Sequence, residues 1–337
     1  MKFVITLLTF LSIGFHANAQ QDVKFTISDG LRDSYQKSAI EKNVSLFLTE
    51  VSRAGKAGDK LQLDNISITD NATRSLNLLW NNLHFVCEEY QINEHCNTAV
   101  NGYQLRNIPI KVIPVIEDYD GDLERQLTIS VSRNGMITGA RMAMPSHVYT
   151  NIIKTGEAVD IARREEILKF VEDFRSHYDE KDIEALDKVF SEDALIITGT
   201  VVMRRDKKGD QPQMRPEVVY HTQSKQVYLK KLRDTFQRNK YIKVTFSDPT
   251  VVRSKKNPNF FGVTLHQHWK GDRYEDDGYV FLLWEFHEND EPPIIHVRTW
   301  QPDKIGGEPT PKEKIINILD FEIPAKKRTQ KQLTTNK

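Results

Sequence analysis

The 337-residue chain carries 47 lysines and arginines against 47 aspartates and glutamates, so its formal net charge is zero. Charged residues make up 28% of the chain and apolar residues 39%, which is ordinary for a soluble globular protein. Zero net charge argues against a protein that captures nucleic acid or an anionic membrane by electrostatic attraction. The content of 16 glycines and 13 prolines excludes a fibrous or low-complexity chain, and the length predicts about two domains.

Residues 1–19 have the pattern of a cleaved signal peptide. Lys2 supplies a positive start, an apolar run covers 3–15, and Ala17 and Ala19 are the small residues of a cleavage site before Gln20. The run is shorter than the roughly 20 residues of a spanning helix, and no later segment approaches that length. We therefore expect no transmembrane segment and export to the periplasm or the cell exterior.

The chain has two cysteines, Cys87 and Cys96, close together in the sequence. In an oxidising compartment such a pair predicts one disulfide that closes a small loop. Two free thiols remain the alternative. A metal site that adds His84 or His95 has less support, because the segment lacks a C-x-x-C element and a second ligand pair.

Residues 20–158 are predicted to form an N-terminal α+β domain. Its helices follow from apolar residues at three- and four-residue spacing, and alternation before an Asn-Gly turn predicts a hairpin. The predicted elements are a strand at 23–28, a helix from Leu31 to about Gly55, a helix capped by Asp70, an extended segment at 103–116, a hairpin around Asn134-Gly135 and a short helix begun by Ser146.

Residues 118–122 read Asp-Tyr-Asp-Gly-Asp and resemble the start of a calcium loop. Gly121 occupies the fourth place of that loop instead of the sixth, and Ile129 stands at the twelfth, where a calcium loop has a bidentate glutamate. The pattern therefore favours a solvated turn between two strands over a cation site.

Residues 159–324 are predicted to form a second α+β domain. Three helices and an antiparallel meander indicate a layer of helices on one face of a curved sheet. The predicted elements are helices from Asp160, Ile183 and Thr222, a strand at 194–203, a polar loop at 204–216, strands at 241–253, 260–270, 279–286 and 294–301, and an edge element at 315–321. The tail, 325–337, is basic and lacks apolar periodicity and aromatic residues, so we expect a disordered end without nucleic-acid binding.

A family resemblance rests on the order of these elements. The helix pair ends in Phe190-Ser-Glu-Asp193-Ala194, an F-x-x-D-A step into the first strand, and the strands at 261–269, 278–284 and 295–300 follow the third helix. This order resembles the nuclear transport factor 2-like fold, a cystatin-related cone, over about 160–321. The whole chain is similar to exported proteins of Bacteroidetes-type bacteria that carry this domain behind an N-terminal α+β half. Because the superfamily contains isomerases, dehydratases, polyketide cyclases and non-catalytic binders, the resemblance implies no single activity.

The resemblance implies a pocket at the open end of the cone. Strand alternation places His266 and His268 on one face of their strand, and His296, Arg298 and Trp300 on one face of the last strand. If strand pairing aligns these two sets, they gather near Trp284, which lies on a strand between them, and the six residues are the candidate pocket. Imidazoles beside a guanidinium would suit an anionic or enolate-like ligand, and histidine acts as an acid or base near neutral pH. Asp193 is a further candidate because superfamily enzymes often place an acid inside the cone, although an aspartate before a strand commonly caps a turn.

Three interpretations of these residues remain open: a solvated sheet face, a ligand pocket without chemistry, and a catalytic site with His266 or His296 as the base beside Arg298. His266-x-His268 lacks a third metal ligand at a fixed spacing, so we expect neither a metal nor another cofactor. Nucleotide-binding, serine-hydrolase and zinc-protease motifs are absent from the sequence. We expect a non-enzymatic binding or interaction protein for a protein or small-molecule ligand. The alternatives are a small-molecule isomerase, dehydratase or cyclase, and a homo-oligomeric envelope component.

Overall fold

The computed structural model describes residues 22–99, 101–115, 122–144, 161–206, 213–287 and 291–324. The predicted signal peptide, most of the 118–122 turn, the helix expected from Ser146 and the basic tail lie outside these residues. The described elements form a mixed α+β fold with a large curled sheet, as the helix and strand patterns predicted. None of the helices in these ranges combines the length and the apolar character that crossing a bilayer requires.

The N-terminal half, 22–144, contains helices packed on an antiparallel sheet. Strands β2, β5, β6 and β7 are neighbours in this sheet, β4 also pairs with β5, and β1 pairs with β3 in parallel. The elements are β1 (Lys24–Ile27), α1 (Ser34–Ala57), α2 (Asp70–Asn82), β2 (Leu83–Val86), β3 (Gln91–Glu94), β4 (Cys96–Ala99), β5 (Gly102–Pro114), β6 (Glu124–Val131) and β7 (Ile137–Met142). Asp33 caps the start of α1, and Gly58, with a left-handed φ of 67°, ends it.

Helix α1 also binds the edge of β1 that faces away from β3. Three alternate backbone N–H groups of the β1 segment donate to side-chain oxygens spaced four residues apart on α1. The bonds join Val23 to Thr49 Oγ1, Phe25 to Ser45 Oγ and Ile27 to Glu41 Oε1, at 2.9, 2.9 and 2.8 Å. The edge amides of this short strand are therefore satisfied by the helix.

The C-terminal half, 161–324, contains three α-helices and a six-stranded sheet within the described residues. The strand order is β10-β11-β12-β13-β8-β9, and each neighbouring pair is antiparallel except β13 with β8. The elements are α3 (Ile161–Asp179), α4 (Ile183–Val189), β8 (Phe190–Asp206), β9 (Gln213–Ser224), α5 (Lys225–Arg238), β10 (Ile242–Arg253), β11 (Phe260–Gly271), β12 (Glu275–Glu285), β13 (Ile294–Pro302), β14 (Lys304–Ile305) and β15 (Glu308–Pro309).

Two predicted segments of this half are wrong. The loop expected at 204–216 belongs largely to a hairpin, because β8 runs to Asp206, β9 begins at Gln213, and α5 starts only after its cap, Ser224. The outer part of this hairpin is exposed, including Met203 and Met214, so the alternation of buried residues that marks a strand is missing there. The edge element expected at 315–321 instead forms a 3₁₀ turn at Ile318–Asp320.

The curled sheet has an inner face toward the helices and an outer face toward the C-terminal segment 312–324. On the inner face, the ring of Trp284 packs against Phe170, Phe174 and Phe286. On the outer face, a smaller apolar cluster joins sheet residues to the C-terminal segment: Phe260, Phe281, Leu283, Val297, Ile318 and Ile323. Both faces of the middle strands are thus buried.

Cys87 and Cys96 are buried free thiols, so the predicted disulfide does not form in the structure. Cys87 follows Val86, which pairs with Lys111, whereas Cys96 pairs with Leu105 on the same strand β5. Cys87, one residue beyond Val86, is thus about five strand residues from Cys96, or about 17 Å, whereas the Cα atoms of a disulfide lie less than about 7 Å apart. Burial raises the pKa of each thiol to about 11, so both stay protonated near neutral pH.

Candidate functional site

A β-bulge in β13 separates residues that were predicted to share one face. The pairing of β12 with β13 shifts between Leu283 and Trp284, and His296 is the extra residue. His296 therefore lies on the outer face, whereas Arg298 and Trp300 lie on the inner face with Trp284. Alternation along β13 therefore predicted the wrong face for His296, because the bulge shifts the inward and outward positions by one residue.

The histidines of the outer face contact separate carboxylates. Alternation correctly placed His266 and His268 on one face of β11, opposite the buried Leu265. The contacts are His266 Nε2 to Asp303 at 3.8 Å, His268 Nδ1 to Asp277 at 2.9 Å and His296 Nε2 to Glu285 at 2.7 Å. The imidazoles therefore do not form one cluster with each other or with the guanidinium of Arg298.

Arg298 belongs to the packed interior between the sheet and the helices. Its guanidinium lies 5.1 Å from the ring centre of Tyr228, whose hydroxyl is 2.7 Å from that of Tyr178. Burial acts to lower the pKa of Arg298, but Tyr228 and Tyr178 outweigh this effect and hold that pKa above its ordinary value. The aromatic rings, with Trp284 at 1% exposure, occupy the space where the cone pocket was expected.

A cavity of about 560 Å³ on the outer face brings Asp193 and His296 together. Glu285, Asn257 and Phe260 also line it. Asp193 is exposed and accepts a hydrogen bond from the Ser191 hydroxyl, which is the main reason that its pKa lies below the ordinary value. Two of the predicted residues thus share a site, without Arg298.

The larger cavity, of about 1100 Å³, lies between the N-terminal half and helices α3 and α4; we call it the central cleft. Residues of α2 and of β4 to β7 form one wall, and residues of α3 and α4 form the other. Among the described residues, its lining carries equal numbers of lysine or arginine and of acidic side chains, namely Arg74, Arg133, Arg141, Lys169 and Lys188 against Glu165, Glu166, Asp173, Asp182 and Glu291. The charge of the cleft is therefore balanced.

Buried polar contacts hold the two walls together beside the cleft. Arg106 donates two hydrogen bonds to the carboxylate of Glu172, at 2.9 and 2.7 Å, and both side chains are almost fully buried. Glu172 also accepts a hydrogen bond from the Met144 N–H, and Arg175 donates to the Met142 carbonyl. Because a buried charge left without its partner is strongly unfavourable, these bonds fix the spacing of the walls.

At one end of the cleft, His177 and Asp182 line the wall. Glu180 lies beside them, where Lys181, with a left-handed φ of 57°, turns the chain from α3 into α4. Each of the three offers one potential ligand atom, and these atoms lie within 4.8 Å of one another. The three side chains are 7%, 1% and 2% exposed. Burial, with the nearby charge of Arg141, lowers the pKa of His177 to about 4, so its imidazole is neutral at pH 7.

The carboxylates at this end of the cleft are only partly satisfied. Ser75 Oγ donates to Glu180 Oε2, Arg74 Nη1 lies 2.7 Å from Asp182 Oδ1, and that same oxygen accepts from the Ala185 N–H. Burial raises the pKa of Glu180 to about 7. Burial also acts to raise the pKa of Asp182, but the bonds from Arg74 and Ala185 outweigh it and hold that pKa below its ordinary value.

The group of His177, Glu180 and Asp182 was not predicted from the sequence. Its signal is present as His177-x-x-Glu180-x-Asp182, three residues of metal-ligand type in a short span. Polar residues at a helix end are usually solvated, and nothing local reveals that Arg74 and Ser75 of the N-terminal half cover them.

No family model matches the sequence, and no curated protein matches it. Among solved structures, Bd1075 from Bdellovibrio bacteriovorus is 18% identical over 43% of this chain and 42% of its own length, with a TM-score of 0.32. A nuclear transport factor 2-like protein from Cytophaga hutchinsonii is 14% identical over 42% of this chain and 98% of its own, with a TM-score of 0.30. Another such protein, of unknown function, from Pseudomonas putida is 10% identical over 49% and 99%, with a TM-score of 0.31. These similarities assign neither a family nor an activity to this chain.

Proposed function

We propose that this chain is an exported binding protein that holds a small ligand in the central cleft and performs no chemistry on it. The observation that carries this proposal is the cleft itself, which at about 1100 Å³ slightly exceeds the usual size of small-molecule sites, roughly 300–1,000 Å³. The signal-peptide pattern of residues 1–19 supports export.

The lining of the cleft favours a ligand with an apolar body and little net charge. Arg141 Nε lies 3.0 Å from Asp173, and Lys169 Nζ lies 2.9 Å from the same carboxylate, so both cations already have an anionic partner within the protein. Apolar side chains contribute to both walls, with Tyr103 and Val131 from the N-terminal half, and Phe170, Val189 and Pro292 from the C-terminal half.

The enzymatic alternative has less support. It needs an imidazole beside Arg298, but His266 and His296 lie on the outer face of the sheet and Arg298 on the inner face. In the outer-face cavity, His296 contacts Glu285 and lies near Asp193, and none of the described residues that line this cavity is an arginine that could bind an anion.

The finer assignment of the C-terminal half also remains our proposal. We propose that residues 159–324 are a nuclear transport factor 2-like domain and that 20–158 are a separate N-terminal domain. Two observations support this division: the helix pair, third helix and curled sheet follow in the expected order, and each half has its own apolar cluster.

A neutral fluorescent probe tests the binding proposal. We expect N-phenyl-1-naphthylamine to bind the mature chain saturably with an increase in its emission. Thr138, exposed on β7, lines the cleft, and a Thr138→Trp side chain would project into it, take up part of its volume and weaken binding by about tenfold or more. Thr200→Trp, at an exposed position of β8, is the matched control and should bind like the wild type. Absence of saturable binding, or equal affinity in Thr138→Trp, would contradict the proposal.

A further inference from the structure

Three buried side chains converge at the end of the central cleft with atoms that lack partners. Among the residues that the structure describes, His177 Nδ1, Glu180 Oε1 and Asp182 Oδ2 are buried and have no hydrogen-bond partner. Native proteins seldom leave buried polar atoms unpaired, and such an atom frequently marks the place of a water or an ion. The imidazole of His177 adds an observation independent of the acidic pair, since its Nδ1 has no partner and the side chain is more than nine-tenths buried.

The spacing of these groups fits a small metal ion. Nitrogen and oxygen ligands bind zinc-like ions at about 2.0–2.2 Å, so two ligands of one ion lie at most about 4.4 Å apart. The three ligand atoms lie within 4.8 Å of one another, so a shift of a few tenths of an ångström brings them to one ion. Two carboxylates with one imidazole suit manganese, iron or zinc better than the softer ions that prefer sulfur.

The neighbouring cations leave room for an ion. Arg74 contacts Asp182 through Oδ1 and leaves Oδ2 unpaired, and Arg141 forms its ion pair with Asp173. Within the described residues, no lysine or arginine forms an ion pair with Glu180, whose second oxygen receives the hydrogen bond of a neutral serine. Glu180 Oε1 is therefore left without a direct partner, although the charge of Arg141 lies nearby.

We propose that His177, Glu180 and Asp182 bind one divalent transition-metal ion at the wall of the central cleft. Three protein ligands leave open coordination positions, and because His177 and Asp182 line the cleft, those positions are reached from it. Ser75 and Arg74 hold the second oxygens of the two carboxylates and so orient the ligands, as outer partners do in metal sites. This site stands on its own residues and does not require an organic ligand in the cleft.

Equilibrium binding of Zn²⁺ and Mn²⁺ tests the proposal. The tag-free mature chain is freed of metal with a chelator and titrated with Zn²⁺ against a chromogenic chelator, and with Mn²⁺ by electron paramagnetic resonance of the free ion. We expect one equivalent of at least one of these ions to bind. His177→Gln, Glu180→Gln and Asp182→Asn should each weaken binding by at least about tenfold. Glu184→Gln removes an exposed carboxylate of α4 and should leave the affinity unchanged.

Thermal unfolding separates loss of the ion from loss of the fold. The bound ion should raise the Tm of the wild type and of Glu184→Gln, and at the same metal concentration should raise the Tm of Glu180→Gln and Asp182→Asn by less or not at all. Failure of both ions to bind saturably would overturn the proposal. One equivalent bound with full affinity by the Glu180→Gln/Asp182→Asn double variant would overturn it equally. The dye titration is carried out with the same metal-free protein, and Thr138→Trp leaves the three ligands intact. Failure of one proposal can therefore be distinguished from failure of the other.

Discussion

The two sides of helix α3 meet different surroundings. Toward the curled sheet the helix presents Val171, Phe174 and Tyr178 to an apolar core. Toward the N-terminal half it presents Glu172 and Asp173, which form buried or half-buried ion pairs. Both sides are covered by protein, but only the apolar side has the regularly spaced apolar residues from which burial can be predicted.

The difference in chemistry implies a difference in what each side does. Apolar burial stabilises in proportion to the area removed from water. A buried ion pair gains little net stability because desolvation offsets the attraction, but removing one partner leaves an unpaired charge. We infer that the apolar side of α3 supplies stability and the charged side determines where the N-terminal half docks.

The largest expected effect is on the apolar side. Phe174 is fully buried and its ring contacts Tyr178, Phe190 and Trp284. Phe174→Ala should lower the free energy of unfolding of the C-terminal half by about 4 kcal/mol, through lost burial and the cavity left behind. Urea unfolding followed by tryptophan emission measures this, with the exposed Tyr35→Ala as the control. A loss below about 1 kcal/mol would mean that this side is not the source of stability.

On the charged side of α3 we expect a smaller, but still large, loss of stability. A second substitution should reverse it. Glu172→Ala leaves Arg106 buried without a carboxylate and should lower the free energy of unfolding by about 3 kcal/mol. The Arg106→Met/Glu172→Leu double variant should recover most of that loss, because no charge is then stranded. Urea unfolding of the wild type and the two variants measures the free energy of unfolding of each. A double variant as unstable as the single one would show that the pair contributes net stability.

The smallest loss of stability is expected for a half-exposed ion pair at the edge of the charged side of α3. Lys169 Nζ lies 2.9 Å from Asp173 and retains partial contact with water. Lys169→Ala should change the free energy of unfolding by about 0.5 kcal/mol or less, as for other half-exposed pairs four residues apart on a helix. The same urea series measures it. A loss comparable to that of Glu172→Ala would erase the distinction between the buried and the bordering pair.

Local periodicity was sufficient for much of the fold. Helices α1 to α3 and strands β10 to β13 lie close to their predicted ranges, because each buries a regularly spaced set of side chains. The approach failed where burial is not periodic: the exposed β8–β9 hairpin has no apolar alternation, and the bulge at His296 reverses it. It also failed for Cys87 and Cys96, whose separation depends on their positions along β5.

The candidate site was harder to predict than the fold. Composition and alternation selected histidines that end up on the outer face, each with its own carboxylate. The group at His177, Glu180 and Asp182 depends on Ser75, more than a hundred positions earlier in the chain, whose hydroxyl reaches Glu180. Such a contact arises only when the two halves pack together, and no pattern within either segment predicts it.

The hydrogen bonds between α1 and β1 have a consequence for assembly. Four residues of helix rise about 6 Å and two residues of strand about 6.6 Å, so oxygens at positions 41, 45 and 49 match alternate amides of the strand. An open strand edge normally offers a template on which another chain can add a strand. Here that edge is occupied over its whole length by one helix, so self-association of this protein by strand addition at β1 would first require α1 to detach.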